Sequence, residues 1–160
     1  MAKVIITGGT GLVGKRLTQL LLNRGYGVNI LCRNPKRPNE FKWDISGNYI
    51  DKNVFEQANA IIHLAGAGVA DERWTAERKK EIIDSRIRSA GLLYDYLANN
   101  KHTISNFISA SAVGFYGDRG NEVLTETSTA GTGFLADVCK LWENGADTLA
   151  TLHIPVSKIR

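Results

Sequence analysis

Cysteine is scarce in this sequence. Only Cys32 and Cys139 occur, far apart and without CxxC or Cys/His ligand spacing, which argues against a disulfide framework or a zinc site and leaves two free thiols. No apolar run approaches the ~20 residues needed to cross a bilayer, and no amino-terminal stretch has the basic, apolar and small-residue regions of a signal peptide. A cytoplasmic location away from membranes is therefore expected. Charge of one sign is also in short supply: the net charge is +4, and basic residues are dispersed except for Arg33, Lys36 and Arg37. With no basic face interleaved with aromatics and no recognisable binding module, nucleic acid is not an expected partner. No internal repeat or low-complexity linker divides the chain.

The 160 residues, 43% hydrophobic and 22% charged, have the size and composition of one globular domain with a real core. Val4-Ile5-Ile6 is a short apolar run ending in Thr7-Gly8-Gly9-Thr10-Gly11. Leu12, Val13, Leu17, Leu20 and Leu21 then recur at helical spacing up to Asn23-Arg24-Gly25. Val28 to Cys32 reads as a second strand, stopped by Asn34-Pro35 and Arg37-Pro38. Further along, strands are expected over Phe41 to Ile45, Ala60 to Leu64 and Asn106 to Ala110, with a helical turn over Val54 to Ala58. A long helix is expected from Thr75 to Asn99, its stripe formed by Ile82, Ile83, Ile87, Leu92, Leu93, Tyr96 and Leu97. Residues 111–132 read as a long polar loop, 133–152 as a helix, and Pro155 to Ile159 as the start of a strand. Strands alternating with helices at this spacing predict an α/β fold: a Rossmann-like doubly wound parallel sheet with helices on both faces, built by residues 1–160.

Glycines at 8, 11 and 14 between a strand and a helix form a GxxGxxG variant of the dinucleotide fingerprint. Gly8 permits the tight turn, Gly11 admits the pyrophosphate and Gly14 allows close packing, while the helix start attracts phosphate. At the end of the second strand, where NAD sites commonly carry an acid, stands Cys32-Arg33-Asn34-Pro35-Lys36-Arg37. Arg33, with Lys36 or Arg37 adding charge, suits the 2′-phosphate of NADP, so NADP(H) is expected ahead of NAD(H). Asp44 has two readings, an acceptor for the adenine amino group or a plain turn residue. His63, inside an apolar strand, reads as a satisfied core residue with no chemistry. Ser111 and Tyr116 follow the strand ending at Ala110 and are the candidate hydroxyls for orienting or protonating a carbonyl, Ser109 competing with them.

Taken with His63-Leu64-Ala65-Gly66, Arg73-Trp74-Thr75, Lys80-Glu81-Ile82, Asp84-Ser85-Arg86, Ser109 to Gly114, Tyr116-Gly117, and Phe134-Leu135 through Trp142-Glu143, the sequence resembles the atypical and extended short-chain dehydrogenase/reductases, in particular the NADP-binding nucleotide-sugar-epimerase-like family. The resemblance implies that Cys32 and Arg33 flank the adenosine phosphate, that Leu64 and Ala65 pass under the cofactor and that Glu81 and Arg86 face it from the long helix; with Gly8, Gly11, Leu12, Val13 and Gly14 of the fingerprint, and Asp44 in the first of its two readings, these make up the expected cofactor site. It also implies a homodimer by analogy, and a substrate-binding portion beyond residue 160, so that the domain is expected to be incomplete at its carboxyl end. The YxxxK pair of that family is missing: Leu135 and Cys139 stand where tyrosine and lysine are expected, with Lys140 one position off. Two functions follow as expectations. One is an NADP-dependent epimerase-like oxidoreductase acting on an unidentified carbonyl or nucleotide-sugar substrate, the other a non-catalytic NADP-binding sensor or scaffold.

Overall fold

Val4, Ile5 and Ile6 are buried in succession, a pattern that only a strand covered on both faces can satisfy. In the computed structural model, which describes residues 2–160, they lie in β1 (Lys3–Thr7) at the middle of a seven-stranded sheet. The remaining strands are β2 (Gly27–Cys32), β3 (Glu40–Asp44), β4 (Tyr49–Ile50), β5 (Ala58–His63), β6 (Asn106–Ala110) and β7 (Val156–Ile159), in the order β4-β3-β2-β1-β5-β6-β7. Every pairing is parallel except the β3–β4 hairpin. The six parallel strands thus run 3-2-1-4-5-6, the doubly wound order.

Helix α1 (Leu12–Asn23) covers one face, where Leu17 and Leu21 pack on Val4, Ile6, Val28 and Ile30. The other face carries α2 (Ala76–Asn99) and α3 (Phe134–Asp147), whose Leu92, Leu93, Leu97 and Ala146 close over Ile5, Leu31, Ile61 and Phe107. Alternate residues of each strand feed opposite faces, so one strand stitches two cores together. Thr75 caps α2, its hydroxyl accepting the Arg78 amide at 3.2 Å.

Several expectations need correction. Leu12 and Val13 are 91% and 64% exposed, and Leu20 also faces solvent, because α1 is pressed onto the sheet through Gly14 and only Leu17 and Leu21 reach it. Ile87 lies outside the buried stripe of α2. The turn expected over 54–58 is a 3₁₀ turn at Lys52–Phe55, started by Asp51 accepting the Asn53 amide, and Ala58 already belongs to β5. The helix expected over 133–152 is α3 followed by a 3₁₀ turn at Thr148–Leu152. The polar loop after β6 opens with another such turn, Val113–Tyr116. Finally, β3 turns back into β4, which the sequence pattern did not suggest: the Asp44 carboxylate accepts from the Ser46 amide and hydroxyl and the Gly47 amide, and Asn48 takes a φ of 49°.

Candidate functional site

The order of connection reverses beside β1, which lies between β2 and β5, so the carboxyl ends of these strands open onto one crevice. A cavity of about 520 Å³ occupies it. Its floor is the turn after β1 (Gly8, Thr10, Gly11) and the segment after β5 (Leu64 to Gly68). One wall is Cys32, Arg33, Trp43 and Ile45, and the other is Arg78, Glu81 and Ser85 of α2.

Backbone contacts explain the glycines. Gly8 has φ +69°, and a Cβ there would sit 2.9 Å from the Leu64 carbonyl. A Cβ on Gly14 would lie 2.3 Å from the Gly8 oxygen and 2.6 Å from the Gly9 Cα, so only glycine lets α1 start against the turn. Gly11 holds the N-cap position with no side-chain cap, and the first turn of α1 contains no acid. The amides that open the helix are left for an outside acceptor, at the positive end of its dipole.

Behind the floor, one hydroxyl joins its two halves. Thr7 Oγ1 accepts the Leu64 and Ala65 amides at 3.1 and 3.2 Å and lies 2.8 Å from His63 Nδ1. The other ring nitrogen, Nε2, is 3.1 Å from Ser89 Oγ, which donates to the Arg86 carbonyl. Ser89 has only one proton, so His63 Nε2–H donates to it, and Thr7 donates to a bare Nδ1. His63 is fully buried, and burial first, then the Arg86 charge, push its pKa down to about 4. It is a neutral core residue, as the sequence suggested; Thr7 and Ser89, its partners, sequence reasoning missed.

The two arginines of α2 part company. Arg78 binds Glu81 at 2.6 Å and the Gly68 carbonyl at 2.6 Å, with Asp71 and Glu72 at 3.6 and 3.8 Å, pinning the segment that rims the cavity. Glu81 is therefore paired with Arg78 and not with Arg86, although Arg86 lies one turn further along. Arg86 is buried behind Gly66 and Ala67, donates to the Ala67 and Ile82 carbonyls, and stacks 4.7 Å from the Trp142 ring centroid. No carboxylate partners it among the described residues, and burial holds its pKa below the usual arginine value.

The structure thus gathers Gly8, Gly11, Cys32, Arg33, Leu64, Ala65 and Glu81 around one cavity, with Leu12, Val13 and Gly14 opening α1 at its edge. Asp44 is committed to its own turn at the end of β3, the second of its two readings, while its neighbours Trp43 and Ile45 line the wall. The pair Ser111 and Tyr116 is held elsewhere. Ser111 Oγ donates to Glu143 Oε1 at 2.6 Å, Arg160 forks onto the same carboxylate at 2.7 and 2.8 Å, and Arg160 also donates to the Tyr116 hydroxyl at 3.1 Å while lying 3.6 Å from the Phe115 ring centroid. Burial pushes the Glu143 carboxyl up, but the Arg160 and Ser111 hydrogen bonds outweigh it and keep it ionised below its ordinary range. At the positions of the absent tyrosine and lysine, Leu135 is partly exposed and Cys139 is buried, its thiol pushed up by burial and by Glu143.

Glu40 was also missed. Its buried carboxylate accepts the Lys36 amide at 2.7 Å and lies 3.8 Å from Arg37, folding back the basic turn after β2. The carboxylate that reaches this turn thus comes from the start of β3 and not from the end of β2, and Arg33 itself has no acidic partner among the described residues.

A doubly wound sheet with an uncapped glycine turn over its switch point defines a Rossmann-like dinucleotide-binding protein. The chain belongs to the NAD dependent epimerase/dehydratase family, whose model matches residues 4–136. An epimerase family protein of Mycobacterium bovis is 35% identical over 143 residues, covering 89% of this chain and 47% of the relative. The Arabidopsis thaliana epimerase family protein SDR39U1 homolog, chloroplastic, is 34% identical, covering 98% of this chain and 47% of its own length. Among solved structures, a nucleoside-diphosphate sugar epimerase from Corynebacterium glutamicum is 36% identical with a TM-score of 0.84, over 99% of this chain and 33% of that one. Human epimerase family protein SDR39U1 (isoform2) with NADPH is 26% identical with a TM-score of 0.78, over 90% of this chain and 48% of that one. The chain spans about half the length of the curated relatives it matches. No helix among the described residues is long and apolar enough to cross a membrane.

Proposed function

We propose that this chain holds NADP(H), in preference to NAD(H), as the nucleotide-binding part of an epimerase-like oxidoreductase that acts on a carbonyl or nucleotide-sugar substrate. The observation that carries this reading is the main-chain cradle at Gly8, Gly11 and Gly14 with the unpaired Arg33 beside it. The human relative solved with NADPH supports the choice of cofactor. Bound there, the nicotinamide would supply or accept a hydride. The chain's own residues bind and orient: helix amides meet the phosphates, Leu64 and Ala65 form the floor, Trp43 and Ile45 offer an apolar wall for an adenine, and Arg33 supplies positive charge. Ser111 remains the candidate for orienting a substrate carbonyl. To give up its proton it must leave Glu143, a charge-assisted bond of about 1.5–3 kcal/mol.

A second reading is favoured by that same commitment. With Ser111 and Tyr116 tied to Glu143 and Arg160, the chain suits a dinucleotide-binding sensor or scaffold that performs no chemistry. The melting temperature with and without saturating NADPH or NADH tests the binding proposal, since a ligand bound only to the folded state raises stability by mass action. A larger shift with NADPH, lost in Arg33→Asp, is expected; no shift with either nucleotide would refute it. In the longer relatives, NADPH oxidation with a carbonyl panel that disappears in the equivalent of Ser111→Ala favours the enzyme, and tight binding without turnover favours the sensor.

A further inference from the structure

Between β5 and α2 the chain runs from Leu64 to Thr75 without regular structure, and it supplies both floor and rim of the cavity over the switch point. Its first part is fixed. Thr7 Oγ1 holds the Leu64 and Ala65 amides, Ser85 Oγ accepts the Ala67 amide at 3.0 Å, and Arg86 donates to the Ala67 carbonyl at 3.1 Å. At the far end Trp74 packs edge-on against Phe134, with 5.1 Å between ring centroids, and Thr75 caps α2. Residues 68–72 lie between these anchors as a strap, and among the described residues Arg78 alone ties them to the helices by hydrogen bond or ion pair.

Arg78 lines the cavity and is not saturated there. Nη1 donates to Glu81 and Nη2 to the Gly68 carbonyl, each at 2.6 Å. Asp71 at 3.6 Å and Glu72 at 3.8 Å are charge neighbours beyond hydrogen-bond reach, and the Nε proton is buried with no acceptor among the described residues. A Cβ on Gly68 would collide with the Asp71 carboxylate, so glycine there lets this acid fold back over the strap. Three carboxylates thus share one guanidinium on the wall of a cavity whose glycine turn suits phosphate.

From this arrangement we infer that Asp71 and Glu72 form an autoinhibitory contact: they stand in for a nucleotide phosphate beside Arg78 and hold the strap over the cavity until a dinucleotide takes the guanidinium. The inference rests on the dinucleotide-binding reading above and gives it a moving part. The displaced pairs are weak, because Asp71 and Glu72 are 68% and 67% exposed and neither touches Arg78 closely. Phosphate oxygens at hydrogen-bond distance make the stronger, charge-assisted contact. Glu81, at 2.6 Å, keeps its hold. Negative charge beside Arg78 then repels Asp71, which lines the same cavity, and the strap moves outward. In a sensor, that movement is what a partner reads.

The test is titration of the chain with NADPH, for the wild type and the double variant Asp71→Asn/Glu72→Gln, with a nitroxide spin label on Ala70→Cys in both backgrounds to report strap mobility. Ala70 is exposed, whereas Cys32 and Cys139 are buried. The substituted acids are exposed and keep their shape, so the variant folds; its nucleotide-free melting curve checks this. The double variant is expected to bind NADPH about fivefold more tightly, the scale of two weak exposed pairs. In the wild-type background saturating NADPH is expected to mobilise the label, and in the variant the label is mobile with or without nucleotide. Unchanged or weaker binding by the variant overturns the inference. So does tighter binding with a label that NADPH leaves unmoved, the result of a general charge effect, and so does a label that NADPH immobilises. If NADPH gives the wild type no melting shift, the binding reading falls and this inference with it.

Discussion

Acidification should weaken the fold through His63, and the magnitude can be worked out from its surroundings. The ring is fully buried, and its pKa falls from 6.5 to about 4. Between these values the unfolded chain binds a proton that the folded chain refuses, so stability decreases as pH falls from 6.5 and the His63 contribution levels off below about 4. Two and a half pKa units at ~1.4 kcal/mol each give on the order of 3 kcal/mol, or about 6–12 °C in melting temperature for a domain of this size. Structurally, a protonated ring would place a donor at Nδ1 against the Thr7 hydroxyl, which already accepts the Leu64 and Ala65 amides and needs Nδ1 for its own proton. Carboxylates titrate in the same range, so the measurement is a difference: urea unfolding of wild type and His63→Leu at steps from pH 7 to pH 4. The variant starts less stable at pH 7, by roughly 1–3 kcal/mol for the Thr7 hydroxyl left without an acceptor, Ser89 keeping its bond to the Arg86 carbonyl, and loses less on acidification. Parallel pH curves for the two proteins would refute the assignment.

Gly14→Ala should be damaging out of proportion to one methyl group, since its Cβ would be driven to 2.3 Å from the Gly8 oxygen; a loss of about 1–3 kcal/mol and disappearance of the NADPH-dependent melting shift are expected by calorimetry. Glu143→Ala strands the Arg160 guanidinium and the Ser111 hydroxyl. The expected loss in urea unfolding is about 2–3 kcal/mol, short of the 3–5 for a wholly buried pair because the Arg160 side chain retains 19% exposure. Thr75→Ala removes the cap of α2 and should cost about 1 kcal/mol in the same assay, with little effect on nucleotide affinity because Thr75 does not line the cavity.

How much of this was legible in the sequence depended on how far apart the partners lie along the chain. The unit β1-turn-α1-β2 could be read almost residue by residue, because its signals are consecutive: an apolar run, three spaced glycines and a periodic helix. Strand β6 matched its expected bounds for the same reason. The exposure of Leu12 and Val13 was invisible, since periodicity says which residues share a face and not where Gly14 lets the helix touch down. Glu81 pairs with Arg78, three residues before it, because that spacing shares a helix face and the five-residue spacing to Arg86 does not; the rim acids Asp71 and Glu72, which also reach Arg78, come from a segment that no helical spacing could place. The Ser111, Glu143 and Arg160 cluster joins segments that meet only once β6, α3 and β7 have assembled, so no local pattern announced that the candidate hydroxyl was already engaged.

The Thr7 hydroxyl that bridges to Leu64 and Ala65 has a consequence for the order of events during synthesis. Half of the cofactor floor is the turn that follows the first strand, yet that floor is fastened by amides 57 and 58 residues beyond Thr7, and the imidazole that takes the Thr7 proton is held on its other side by Ser89 on α2. A nascent chain that has exposed only the glycine fingerprint therefore carries the motif without the receptor. Competence to capture nucleotide should switch on late and abruptly, when the middle of α2 clears the ribosome and docks, so nucleotide can act as a selective trap for chains that have completed this long-range closure.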